Sequence, residues 1–199
     1  MDAAELSGVL DFLRAAERLK VTTRSAFTSA GRAESVAEHT WRLCLMALVV
    51  APEFPDVDFA RLVKICIVHD LGEAVGGDVP APEQARRLSA GIATGKGDAE
   101  RRDLLSLLAP LPASLRDEIA ALWDEYEAAV TPAAKLAKAL DKLETIMQHT
   151  QGQNPPDFDY RFNLGYGRAH TADHPLIVAV RAILDADTER RAQDIEKSR

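Results

Sequence analysis

Apolar side chains recur at i, i+3 and i+4 from residue 3 to about residue 190, and no segment shows sustained two-residue alternation bounded by turn residues. A chain patterned this way buries its stripes by packing helix on helix, so the spacing predicts an all-α fold. Leu6, Val9, Leu10, Leu13, Ala16 and Leu19 form the first stripe, over residues 3–20, and the loop VTTRSAFTSAGRAE follows. Ser35 with Glu38 is a capping box that starts a second helix, which reaches about Ala51 before PEFPDVD breaks it. The third helix, from about Asp58 to Ala74, is apolar nearly all round and is therefore expected at the centre; GGDVPAP ends it.

Residues 83–109 read as a helix interrupted by SAGIATGKGDAE, a stretch expected to be exposed and mobile. Pro112 opens a helix through LRDEIAALWDEYEAAV, and Thr131 followed by Pro132 caps another that runs to about residue 150. Residues 151–173 are irregular, a helix from Pro175 closes the core, and the polar tail 191–199 is expected to fray. With 199 residues, no internal repeat and no linker, the expectation is one domain spanning 1–199 with its helical core over about 3–190.

Charge narrows the function classes. Lys and Arg number 24 against 31 Asp and Glu, a net −7, so the field of the whole chain repels polyanions. Neither nucleic-acid polymers nor acidic membranes are expected partners, and an anionic substrate would need local positive charge. Cys44 and Cys66 each sit in an apolar run and read as buried thiols rather than a disulfide. No Lys/Arg-headed apolar leader and no apolar run near ~18 residues is present, so no signal peptide or membrane span is expected and the compartment is expected to be the reducing cytoplasm.

The candidate site is spread over His39, the pair His69-Asp70, Glu73, Asp78 and Asp141. With 5 His and 17 Asp in the chain, chance supplies about 0.4 His-Asp dipeptides, so the pair by itself says little. Its setting says more. The pair ends the run VKICIVHD and so brings two polar side chains into the most buried-looking helix, where an unpaired charge would cost several kcal/mol. A metal cation is one partner that satisfies both. Glu73, three and four residues on, would lie along the same helical sector and could reach water held there. Asp141 interrupts the stripe of Leu136, Leu140, Leu143 and Met147, with Ala134 and Ala137 leaving room along its face. The alternatives are an exposed pairing of Asp141 with Lys138 or Lys142, and a His39 that is simply a polar residue in a first helical turn.

Taken in order, Arg24, ESVAEH, HDLGEAVGGD, ALWDEYE, LDKLE and the late His174-Pro175 resemble the HD-domain metal-dependent phosphohydrolases, in particular their 5'-deoxynucleotidase branch; the likeness runs from about Leu13 to Leu184. The resemblance implies a single-domain HD helical bundle and one divalent metal held by His39, His69, Asp70 and Asp141. It further implies that Glu73 and Asp78 are catalytic, that Arg24 contacts the substrate phosphate, and that the chain forms a homodimer. Two imidazoles and two carboxylates without thiolate suit Mn, Co, Fe, Mg, Ni or Zn.

The expected reaction is hydrolysis of a small-molecule nucleotide, a nucleoside 5'-monophosphate and preferentially the deoxy form, with Arg24 as the planar fork for phosphate oxygens. Bacterial members commonly carry Trp where this chain has Ser25, which bears on sugar discrimination. Arg86, Arg87 and Lys96 are further cationic candidates for the phosphate. Competing readings are phosphodiester or guanosine-tetraphosphate hydrolysis, a di-iron oxygenase, which would need more His than His149, His170 and His174 supply, and a non-enzymatic metal-stabilised interaction module. Trp41, Trp123 and Tyr126 serve either the core or a subunit contact.

Overall fold

The structure, a computed structural model, describes residues 1–90 and 96–198, without the side chains of residues 85, 87–89, 96 and 198. Helix α1 spans Ala3–Ala16 and passes through a 3₁₀ turn at Glu17–Lys20 into a hairpin, β1 Thr23–Phe27 paired antiparallel with β2 Ala33–Ser35. Then come α2 Val36–Val50, α3 Phe59–Val68, the single turn α4 Glu73–Gly76, α5 Ala81–Ser89 and α6 Lys96–Leu108. Helices α7 Ala113–Ala128, α8 Pro132–Gln151, the short α9 Phe162–Gly165 and α10 Pro175–Ser198 complete the chain. The protein is an all-α bundle with one two-stranded ribbon, and no helix among the described residues is long and apolar enough to cross a membrane.

The core lies where α8 packs against α2, α3, α7 and α10, with α3 also against α2 and α7. Leu43, Leu62, Ile65, Leu140, Leu143 and Ile146 are fully buried there. The capping box at Ser35 and Glu38 and the Thr131 cap form as their residue types dictate.

Three expectations need correction. First, the predicted loop over residues 21–34 contains the hairpin, whose strands of five and three residues are too short to display a two-residue period. Its register is fixed on α8, whose Gln148 side chain donates to the Phe27 carbonyl, while Gln153 N–H donates to that of Thr28. Second, the helix expected to run through Ala74 stops at Val68. The backbone tightens there, with Leu71 N–H donating to Val68 and Glu73 N–H to Asp70. Gly72 is the reason such a turn fits: a Cβ on it would stand 2.9 Å from the Glu100 carbonyl oxygen of α6. Third, α10 continues through the residues expected as a polar tail, with Ala192 buried and Arg191 Nε donating to the Thr150 carbonyl at 2.9 Å.

The stripe of α1 lies lightly on the body: Leu6, Leu10 and Leu13 are exposed, and none of its residues is fully buried. Trp123 and Tyr126 belong to the core, whereas Trp41 is 67% exposed. Both cysteines are free, Cys66 buried and Cys44 half-buried. Of the stretch SAGIATGKGDAE, residues 91–95 lie outside the described residues, as do the side chains of Arg87 and Lys96, while 96–100 form the start of α6.

Candidate metal centre

Three elements converge on one buried point. His39 comes from the first turns of α2, His69 and Asp70 from the turn that ends α3, and Asp141 from the middle of α8. His39 Nε2 lies 3.3 Å from His69 Nε2, 3.3 Å from Asp141 Oδ1 and 3.8 Å from Asp70 Oδ2; His69 Nε2 is 3.0 Å from Asp70 Oδ2. Glu73 still reaches the site although the helix is interrupted, because the tight turn at Gly72 returns it to the same side. Arg24, His69, Asp70, Glu73, Asp78 and Asp141 line one cavity of about 300 Å³, which Lys138, Lys142, Tyr166 and His170 help to enclose. Every sequence-predicted site residue except His39 therefore faces that cavity, and His39 closes the cluster from behind.

The donor chemistry fits a divalent cation. His69 Nδ1 sits 2.8 Å from the Cys66 carbonyl, and His39 Nδ1 sits against Glu144 Oε2, so each ring's proton belongs on Nδ1. Two Nε2 lone pairs then face each other among two carboxylates, an arrangement that repels itself unless positive charge lies between them. The titration of His39 says the same. Burial and Arg24 both disfavour a charged ring, yet Glu144 and Asp141 outweigh them and raise its pKa to about 9. His39, His69 and Asp70 can present one ligand atom each within 4.8 Å of one another.

Glu73 is the other unsatisfied group. Its Oε2 is buried with no hydrogen-bond partner, and burial, then Asp70 and Asp78, push its pKa to about 10. Asp70 moves the opposite way: burial would raise it, but His69 and His39 hold it below the ordinary carboxylate range.

Sequence reasoning missed the groups that orient these side chains. Glu144, fully buried, is the hub: besides His39 it meets Arg42 Nη2 at 2.6 Å and Arg24 Nη1 at 3.4 Å. Its one signal was its place at the end of LDKLE, a turn beyond Asp141. Glu34 lies 3.4 Å from Arg24 Nη1 and 3.7 Å from Arg42 Nη2. Glu34, His39 and Glu144 form a second acidic group, but both of its carboxylates are already met by guanidinium charge. Lys142 does pair with Asp141, at 2.8 Å, although on a buried face rather than the exposed one considered above. Arg86 pairs with Glu83 at the surface. His149 bonds Asn163 and His174 stacks on Phe54, so neither joins the cluster.

The fold and cluster define a helical protein with a candidate metal centre, in which a His-Asp pair at the end of one helix meets a histidine and an aspartate from two others. Residues 16–181 match the HD domain family, and the chain belongs to it. It is 30% identical to the mouse 5'-deoxynucleotidase HDDC2 over 94% of this chain and 90% of that one. It is 34% identical to the fission yeast 5'-deoxynucleotidase hdd1 over 74% of each. A crystal structure described as a predicted metal-dependent phosphohydrolase from Magnetospirillum magnetotacticum superposes with a TM-score of 0.81 at 26% identity, covering 95% of both chains.

Proposed function

We propose that this chain is a divalent-metal-dependent phosphomonoesterase that hydrolyses nucleoside 5'-monophosphates, the deoxy form preferentially, to nucleoside and phosphate. The observation that carries the reading is the meeting of the His69 imidazole, two aspartates, a guanidinium and a buried, unpartnered glutamate on one cavity, with the His39 imidazole directly behind them. The names of the relatives support the substrate class.

His39, His69, Asp70 and Asp141 would hold the metal, which when bound would supply positive charge to phosphate oxygens and acidify water. Arg24 faces the cavity with its guanidinium gripped by Glu34, Glu144 and Thr145, the last at 3.0 Å from Nη2, so its fork is preset for phosphate oxygens. Glu73 Oε2, buried on the cavity without a protein partner, would accept the proton of the attacking water once a bound cation's charge offsets the burial and the Asp70 and Asp78 charges that hold the empty site's carboxyl protonated. Asp78, on the same cavity, would in its protonated form give the leaving O5' its proton. The opening of the cluster onto a cavity favours an enzyme over a purely structural metal site, in which protein atoms would fill every coordination position.

Ser25 lines the cavity and leaves room beside Arg24 for the sugar. We place the protein in the cytoplasm, in keeping with Cys66, whose thiol is held protonated by burial. We take residues 1–199 as one domain and the assembly as a homodimer using the exposed Trp41, Leu48 and Val49 of α2; sedimentation at two concentrations reads its mass. Phosphate release from a panel of ribo- and deoxyribonucleoside monophosphates, a phosphodiester and guanosine tetraphosphate, with Mn, Co or Mg added, tests the activity. Turnover of the monophosphates is expected; cleavage confined to the diester or tetraphosphate would overturn the reading.

A further inference from the structure

The two oxygens of Asp141 live in different company. Oδ1 faces His39 Nε2 at 3.3 Å, whereas Oδ2 accepts from Tyr126 Oη at 2.6 Å and from Lys142 Nζ at 2.8 Å. A carboxylate oxygen offers two lone pairs, and these two donors take both. Only Oδ1 is left for a cation.

Both donors are themselves held. Tyr126 is buried on α7, its ring 5.1 Å from that of His69 and under the ammonium of Lys138 at 4.5 Å. Neighbours in a helix do not ordinarily face one another, so the Lys142 ammonium reaches Asp141 only by folding back toward its own helix. The irregular segment after α8 confines it there. The Tyr166 ring lies 5.2 Å from Lys142 Nζ, and Gly167, at φ 67°, approaches so closely that a Cβ on it would stand 2.6 Å from Lys142 Cβ. Any side chain at 167 would displace the lysine.

We propose that Tyr126 and Lys142 are positioning residues that restrict Asp141 to binding metal through Oδ1 alone, with Gly167 and Tyr166 keeping Lys142 in place. One-oxygen binding keeps a coordination position open for substrate that a chelating carboxylate would fill. Lys142 also adds a positive charge beside the position of the phosphate. The inference rests on Asp141 being a ligand, as proposed above.

The test is cobalt binding to the metal-stripped protein, comparing wild type with Tyr126→Phe, Lys142→Met and Gly167→Ala, read by visible absorption and by competition with a chromophoric chelator. Thermal unfolding of the metal-stripped forms is followed alongside. For Tyr126→Phe and Lys142→Met the expected result is a gain in cobalt affinity of about tenfold, because Oδ2 becomes a further ligand atom and Lys142→Met also removes a neighbouring positive charge. Their absorption bands should also shift and weaken as Oδ2 joins the metal, and Gly167→Ala should follow Lys142→Met. Wild-type affinity and spectrum in both Tyr126→Phe and Lys142→Met would overturn the proposal, as would an affinity loss with an unchanged spectrum that merely tracks lower thermal stability. A wild-type protein that binds no cobalt would overturn the metal reading itself, an outcome distinct from either.

Discussion

His39 shows how a single residue acquires a role through its second nitrogen. The ring turns Nε2 toward the cluster while Nδ1 lies against Glu144, a partner 105 residues away in sequence. Replacing Glu144 by Gln keeps the shape but weakens that acceptor, and should lower divalent-metal affinity by roughly 10- to 100-fold, measured by metal content after dialysis against a graded chelator. His149, farther along α8, predicts a pH effect of a different origin. Burial drives its pKa down to about 4, a fall that its bond to Asn163 only partly opposes. An unfolded imidazole takes its proton near pH 6.5, so between about 6.5 and 4 the unfolded chain holds more protons and stability falls as pH falls. The contribution is whole above pH 6.5 and is reduced by roughly 3 kcal/mol near pH 4, at 1.36 kcal/mol per pKa unit. Urea unfolding of wild type should therefore lose more stability over that range than His149→Gln does. At this scale the sequence was legible where spacing carried the chemistry, as with His69, Asp70 and Glu73. It did not give the partners of Glu144, Arg42 and Tyr126, which are contacts between helices rather than patterns within one.

Among the elements, the long amphipathic helices were legible because their stripes repeat over several turns, and because Ser35 and Thr131 announce their starts chemically. The hairpin was not, since eight strand residues cannot establish a period and its register is set by α8. The end of α3 was hidden for a related reason: the apolar run continues past Val68, and only the closeness of α6 to Gly72 turns the chain. The irregular segment between α8 and α10 was legible as irregular but not as fixed. Arg181 of α10, 4% exposed, fixes it by donating to the carbonyls of Tyr166 and Asn163 at 2.6 Å and of Leu164 at 3.1 Å. Arg181→Met would take the Tyr166 carbonyl's buried donor away and leave the Asn163 and Leu164 carbonyls with Tyr166 N–H and Arg168 Nε alone. It should cost about 3 kcal/mol in thermal unfolding, and raise KM for nucleotide more than it lowers kcat, because Tyr166 and His170 wall the cavity. A raised Tm or an unchanged KM would speak against that role.

For the whole molecule, the net charge of −7 and an anionic substrate are reconciled by local arrangement. Several of the acidic groups face inward, onto histidines, guanidiniums and the place of a cation, and Arg24, Lys138 and Lys142 line the cavity that opens above them. The electrostatic attraction is thus confined to one mouth, while the remaining surface keeps polyanions away. That view makes the divalent metal the condition for activity, and it makes Asp70, which faces both imidazoles, the residue that can least be spared. The direct measurement is phosphate release from a deoxynucleoside 5'-monophosphate by metal-stripped protein, before and after Mn or Co is restored, with Asp70→Ala treated identically. We predict no release from the stripped protein, recovery on restoring the metal, and at least a thousandfold lower recovered rate in Asp70→Ala, about 4 kcal/mol of barrier. Full activity in the stripped protein, or an Asp70→Ala variant that recovers like wild type, would contradict the account.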